Sequence, residues 1–184
     1  MTTDHGAAGL VGRRSVLRSG MLCMASLAVM PLLTALEGCA TAAPRAIAYG
    51  RDQCANCRMI VSDPRYATEL VTAKGRTLAF DSIECLASFV LRNNASPTAG
   101  RLAIGSLWVA AHVAPNALMP ARKGWFHHDE GSGSPMGKGL TAFATDGEAR
   151  AHGFARTSSL GWDEVLALVE RDGLRRGDDR AARG

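Results

Sequence analysis

Three sulfur side chains fall within six residues at Cys54-Ala55-Asn56-Cys57-Arg58-Met59, and no other stretch constrains the chain as strongly. A two-residue gap between cysteines lets both sulfurs face one point only if the backbone makes a tight turn there. Two thiols and a thioether are soft donors, and soft donors select Cu(I) over the harder divalent ions. A further sulfur, Met136, stands far down the chain in Gly131-Ser132-Gly133-Ser134-Pro135-Met136-Gly137-Lys138-Gly139.

Three uses share the Cys-x-x-Cys spacing: a redox couple, half of a zinc site, and capture of a soft metal. A thioredoxin-like couple belongs at a helix N-terminus, where the dipole lowers the thiol pKa. Here the pair is followed by Met59-Ile60-Val61, which reads as strand. A structural zinc site needs four ligands; no second pair exists, although Cys85 with a histidine could complete a set. A simple disulfide, or plain burial of the pair, stays open. Met59 favours the third use, because zinc has little use for a thioether. In a strand Cys57 and Met59 share a face, so both sulfurs can reach one ion. Its bland alternative is core filling. Met136, flanked by proline and glycines, has little apolar surface of its own to pack against and sits in what reads as a mobile loop, the kind that often carries function. His127 and His128 point to opposite sides of a strand, so at most one joins a given site, and His127 is the candidate. Cys85 reads as a buried inert thiol, and Asp81 as a helix cap.

The N-terminus directs the chain out of the cytoplasm. Gly12-Arg13-Arg14-Ser15-Val16-Leu17-Arg18 precedes an apolar run from Met21 to Leu36, the layout of a twin-arginine export signal. The run contains Pro31 and falls short of the roughly 20 residues that span a bilayer. Leu36-Glu37-Gly38-Cys39 resembles a bacterial lipobox, which makes Cys39 the lipidated first residue of the mature protein; Glu37 stands where small residues are usual. Ordinary cleavage near Ala40-Thr41-Ala42 is the rival. Removing Cys23 with the signal and assigning lipid to Cys39 leaves Cys54, Cys57 and Cys85. An odd count in an oxidising compartment argues against a disulfide framework. The formal net charge of +4 is not gathered into a basic stripe with interleaved aromatics, which disfavours nucleic acid.

Residues 1–38 thus read as signal, 39–52 as lipidated N-terminus and tether, 53–174 as the folded domain, and 175–184 as a charged, disordered tail. Within the domain, Tyr66–Thr72 and Thr77–Phe80 read as a hairpin around Lys74-Gly75. Asp81 with Glu84 matches a capping box, and Ile83, Leu86, Ala87 and Val90 form a helical stripe that Asn93-Asn94-Ala95-Ser96-Pro97 stops. Ile104–Val113 is a strand with Leu107, Val109 and Ala111 on one face. Trp125–His128 and Leu140–Thr145 are strands, Asp146-Gly147-Glu148 opens a weaker helix, and Ser159 caps a last helix with Trp162, Val165, Leu166 and Val169 on one stripe. Thr77-Leu78-Ala79-Phe80 and Leu140-Thr141-Ala142-Phe143 occupy matching places in a repeated order. The fold class is α+β: two small ββαβ units in tandem, about 53–114 and 120–174, packed together, plus a C-terminal helix.

Taken together, Cys54-x-x-Cys57-x-Met59-x-Val61-x-Asp63, Phe80-Asp81-Ser82-Ile83-Glu84-Cys85 and Ser134-Pro135-Met136-Gly137 resemble the NosL family, lipoproteins that serve as accessory factors for nitrous oxide reductase. The similarity covers roughly Asp52 to Phe154. It implies a periplasmic copper chaperone, anchored through Cys39 to the outer membrane, that binds one Cu(I) for assembly of the reductase copper centres. Its partners would be nitrous oxide reductase or the assembly machinery. The family's cysteine–methionine pair maps to Cys57 and Met136, with Met59, Cys54 or a histidine such as His127 as an additional ligand. Arg58 stands where a glycine is common. The family's fold of two ββαβ units agrees with the duplication. The resemblance implies a binding and delivery protein rather than an enzyme; the alternatives are a zinc-stabilised scaffold and, by likeness of fold alone, a thiol enzyme akin to organomercurial lyase using Cys54, Cys57, Cys85 and Asp81.

Overall fold

The computed structural model describes residues 43–154 and 158–171. The export signal, Cys39 and the tail from Arg175 lie outside the described residues. Strands β1 (Thr68–Thr72) and β2 (Thr77–Phe80) form the expected hairpin, with Thr68 opposite Phe80 and a turn closed by Gly75 at φ +80°. Helix α1 (Ile83–Ala95) follows, and β3 (Ile104–Ala111) returns antiparallel to β1 on its other side. All five residues of β1 are buried: α1 packs against the strand, and Arg45, in the segment before Cys54, reaches Glu69.

Two local features differ from the sequence expectation. The cap of α1 is Ser82, whose hydroxyl accepts from the Cys85 amide at 3.2 Å; Asp81 instead accepts from the Ser62 amide at 3.3 Å. Glu84 therefore has no cap to complete and turns inward. The second difference is β4 (Ala114–Pro120), a strand beside β3 in a stretch that its prolines mark as a boundary. The sheet order β2-β1-β3-β4 puts β4 at an edge, where one row of amides needs no partner and proline is tolerated.

The second unit repeats the first in reduced form. Strand β5 (Trp125–His128) pairs antiparallel with β6 (Leu140–Phe143), and α2 (Asp146–Ala151) starts at a complete capping box between Thr145 and Glu148. Leu160 then bridges Phe126 through amide–carbonyl bonds of 2.9 and 2.7 Å. So β5 lies between β6 and the Leu160 bridge as β1 lies between β2 and β3. The strands Thr77–Phe80 and Leu140–Phe143 are equivalent, as their sequences suggest. Helix α3 (Trp162–Arg171) closes the chain. It packs against α1, burying Trp162, Val165, Leu168 and Val169 among Ile83, Leu86, Ala87, Val90 and Phe126. The apolar stripe of α3 runs through Leu168 as well as the expected positions, with Leu166 only partly buried. The sheets are joined by the His112 amide on the Ala142 carbonyl at 2.8 Å.

The tether expected through residue 52 joins the fold earlier. Ile47 and Tyr49 pack against the core, and Arg45 sits 2.8 Å from Asp52 and 3.6 Å from Glu69. Glu69 is fully buried on β1, and that burial pushes its carboxyl up to about 7 from an ordinary 4.5. Between those values the folded protein holds a proton that the unfolded chain has lost. The stabilisation from Glu69 is therefore complete below about pH 4.5 and disappears as pH rises through about 7. Urea unfolding at pH 5 and pH 8 should show Glu69→Gln raising stability selectively at the higher pH; an equal effect at both would exclude ionisation as the cause.

Candidate metal centre

Residues 52–61 fold back on themselves. The Val61 amide donates to the Asp52 carbonyl and the Cys54 amide to the Met59 carbonyl, both at 2.8 Å. Inside this narrow loop the Arg58 amide reaches the Cys54 carbonyl at 3.1 Å, a single five-residue turn. Arg58 takes up the reversal with φ 68°. This left-handed conformation costs a residue with a Cβ roughly 1–2 kcal/mol. The turn is sewn to β2 by the Ala55 amide on the Ala79 carbonyl at 2.9 Å, and to α1 by Arg92, which donates to the Asn56 side-chain oxygen.

These attachments bring the turn against the first turn of α1. The Sγ atoms of Cys54, Cys57 and Cys85 all lie within 4.8 Å of one another, and none is in a disulfide. Metal–sulfur bonds of roughly 2.3 Å put three ligating sulfurs about 4 Å apart, so the group needs only a small contraction to close on one ion. Cys54 and Cys85 are buried, whereas Cys57 is partly exposed. The site therefore has a covered floor and one open side.

The charge distribution within the group is uneven. The Cys85 thiol donates to the Cys54 sulfur, which also accepts from the backbone amides of Cys57, Asp81 and Asn56; these bonds pull the Cys54 thiol down to about 5 despite its burial. Cys85 is pushed strongly upward by that same donation and by burial. Burial raises Cys57 as well, followed by its hydrogen bond to the Cys54 sulfur and then the charge of that sulfur. Within the metal-free group Cys54 is the sulfur most disposed to lose its proton, while Cys57 and Cys85 hold theirs more firmly. A soft cation can replace those protons.

The candidate residues divide clearly. Cys54 and Cys57 are brought together, and Cys85 joins them instead of standing as an inert core thiol. Its position, three residues after the cap of a helix, is the sequence signal that could have marked it. Met59 follows Cys57 by two residues and is 52% exposed, which removes core filling as its role. Met136, 36% exposed, lies on the loop between β5 and β6. His127 is placed elsewhere: it is buried in the second unit between Phe143 and Phe154, with Nε2 3.7 Å from Asp146. Strand pairing with β6 turns its ring away into that aromatic layer, and among the described residues no histidine joins the thiol group.

The NosL family model matches residues 47–159, well over half the chain. The chain belongs to the NosL family. Among solved structures it is similar to the copper chaperone NosL from Shewanella denitrificans, at 21% identity and a TM-score of 0.53, covering 67% of this chain and 95% of that one. This likeness supports the α+β architecture with its C-terminal helix. No curated protein matches the sequence. Because Arg58 bears the left-handed turn, Arg58→Gly should raise the unfolding free energy of the metal-free protein by about 1 kcal/mol. A lower denaturant midpoint would show that the Arg58 side chain contributes more than its backbone costs.

Proposed function

We propose that this protein binds one Cu(I) ion at the thiol group and carries it to the copper-centre assembly of nitrous oxide reductase, from a position tethered to the periplasmic side of a membrane. One observation carries the reading: three sulfurs lie within 4.8 Å of one another, two of them buried and the third, Cys57, partly exposed. Three soft donors suit Cu(I). The described donors stop one short of the four that close a structural zinc site. An ion held by an incomplete set stays open to attack by a recipient's ligands, which is what delivery requires.

The methionines extend the donor set toward solvent. Cys57 and Met136 are the pair that the family resemblance implies, Met59 and Cys54 are additional candidates, and Cys85 joins them on geometry. A thioether carries no proton, so it contributes affinity without adding to the competition between metal and protons. Tethering fits the same reading. Arg45 is docked only six residues after Cys39, and an extended chain of that length spans about 20 Å. A lipid on Cys39 would hold the folded domain close to the membrane surface.

Titration of the reduced protein with Cu(I) under anaerobic conditions, against a competing chelator, should give about one tightly held ion per chain. Cys57→Ala and Met136→Ala should each weaken binding by about tenfold or more. Unaltered affinity in both variants would exclude that ligand pair. Cys85→Ser tests the third thiol separately: full affinity there would leave Cys85 a packing residue only.

A further inference from the structure

The glycine-rich loop that carries Met136 is anchored rather than free. At its neck the Asp129 amide donates to the Gly139 carbonyl at 2.9 Å. A Cβ on Gly139 would lie 2.0 Å from the Asp129 carbonyl oxygen, so only glycine fits there. At its far side the Tyr66 hydroxyl donates to the Ser132 carbonyl at 2.6 Å. Between these points Ser134 is buried, and its Oγ accepts from the amides of Lys138 and Gly139 at 3.1 and 2.9 Å while its own hydroxyl proton goes to Glu84 Oε1 at 3.0 Å. The Leu140 amide donates to the same oxygen at 3.1 Å.

One carboxyl oxygen thus holds both ends of the segment from Ser134 to Leu140, which carries Met136. Glu84 is nearly fully buried on the first turn of α1, immediately before Cys85. Its other oxygen has no hydrogen-bond partner among the described residues. A buried polar group of this kind is costly to keep, and an ordinary capping role does not explain it, since Ser82 caps the helix with its hydroxyl on the Cys85 amide. What Glu84 does achieve is a direct link between the helical turn that places a thiol and the loop turn that places a thioether.

We infer that Glu84 is the positioning residue of the metal centre, clasping Ser134 and Leu140 so that the Met136 thioether is presented to the ion held by the thiols. This rests on the proposed Cu(I) function and on Met136 as a ligand. Glu84 does not touch the ion. Its effect is confined to the contribution of Met136, and so is that of Ser134.

A double-mutant cycle tests this. Glu84→Ala in the intact chain should weaken Cu(I) binding by about the same factor as Met136→Ala, and should add nothing when Met136 is already alanine. Glu84→Gln keeps an acceptor oxygen for both donors and should restore affinity to within about threefold of wild type. In selenomethionine-labelled protein carrying Met59→Leu, so that Met59 cannot supply selenium to the ion, X-ray absorption at the copper edge should show a copper–selenium path that Met136→Ala and Glu84→Ala both abolish and Glu84→Gln retains. If Glu84→Ala does not fold, Ser134→Ala breaks the clasp from the loop side and should give the same non-additivity with Met136→Ala. An equal loss from the Glu84 or Ser134 variant with and without Met136, or a copper–selenium path that survives the broken clasp, overturns the positioning role while leaving the copper site standing. Full affinity in Met136→Ala alone removes the thioether from the site, and this inference falls with it.

Discussion

The hydrogen bond from the Cys85 amide to the Ser82 hydroxyl fixes the first turn of α1, and the rest of the site hangs from that turn. Cys85, within the turn, reaches the Cys54 sulfur; Glu84, beside it, reaches the loop of the second unit. The carbonyl of Ser82 accepts from the Thr68 hydroxyl at 3.2 Å, which ties the same turn to the central strand β1. Unwinding one turn would disconnect a thiol, a loop and a strand together. An N-cap is worth about 1 kcal/mol in helix stability, yet here its positional consequences extend across the domain.

The duplication gives the two halves different tasks. Both are ββα arrangements built on a hairpin, but the first hairpin is closed by the short turn at Lys74-Gly75 and the second by the long loop from Asp129 to Gly139. The first unit, with α1, keeps the thiols close to the packed core. The second unit projects Met136 from the equivalent hairpin tip, and its last strand has shrunk to the Leu160 bridge. Packing of α3 on α1 then locks the halves into one core.

The arrangement of the sulfurs matches the needs of a carrier. A buried Cys54 supplied with hydrogen-bond donors is ready as a thiolate, while Cys57 stands at the open side. On the proposed reading, an ion bound there would rest on the two buried thiols and be reached past Cys57. Met59 and Ile60, which follow Cys57 closely in the chain, are exposed, as is Met136 on its loop.

Much of this was legible without coordinates, because local signals govern local structure. Alternation and turn residues mark the hairpins, the 3.6-residue stripe marks α1, and the resemblance between Thr77–Phe80 and Leu140–Phe143 marks the repeat. Prolines hid β4, since only its place at a sheet edge makes them harmless. The sequence by itself determined which soft donors the chain can offer: thiols at Cys54 and Cys57 with a turn between them, and a thioether at Met136. Tertiary structure alone decided that Cys85 belongs with them, that His127 does not, and that Glu84 links the halves. Each of those outcomes depends on distant segments meeting, and neither spacing nor periodicity along a chain carries information about which buried side chains will face one another.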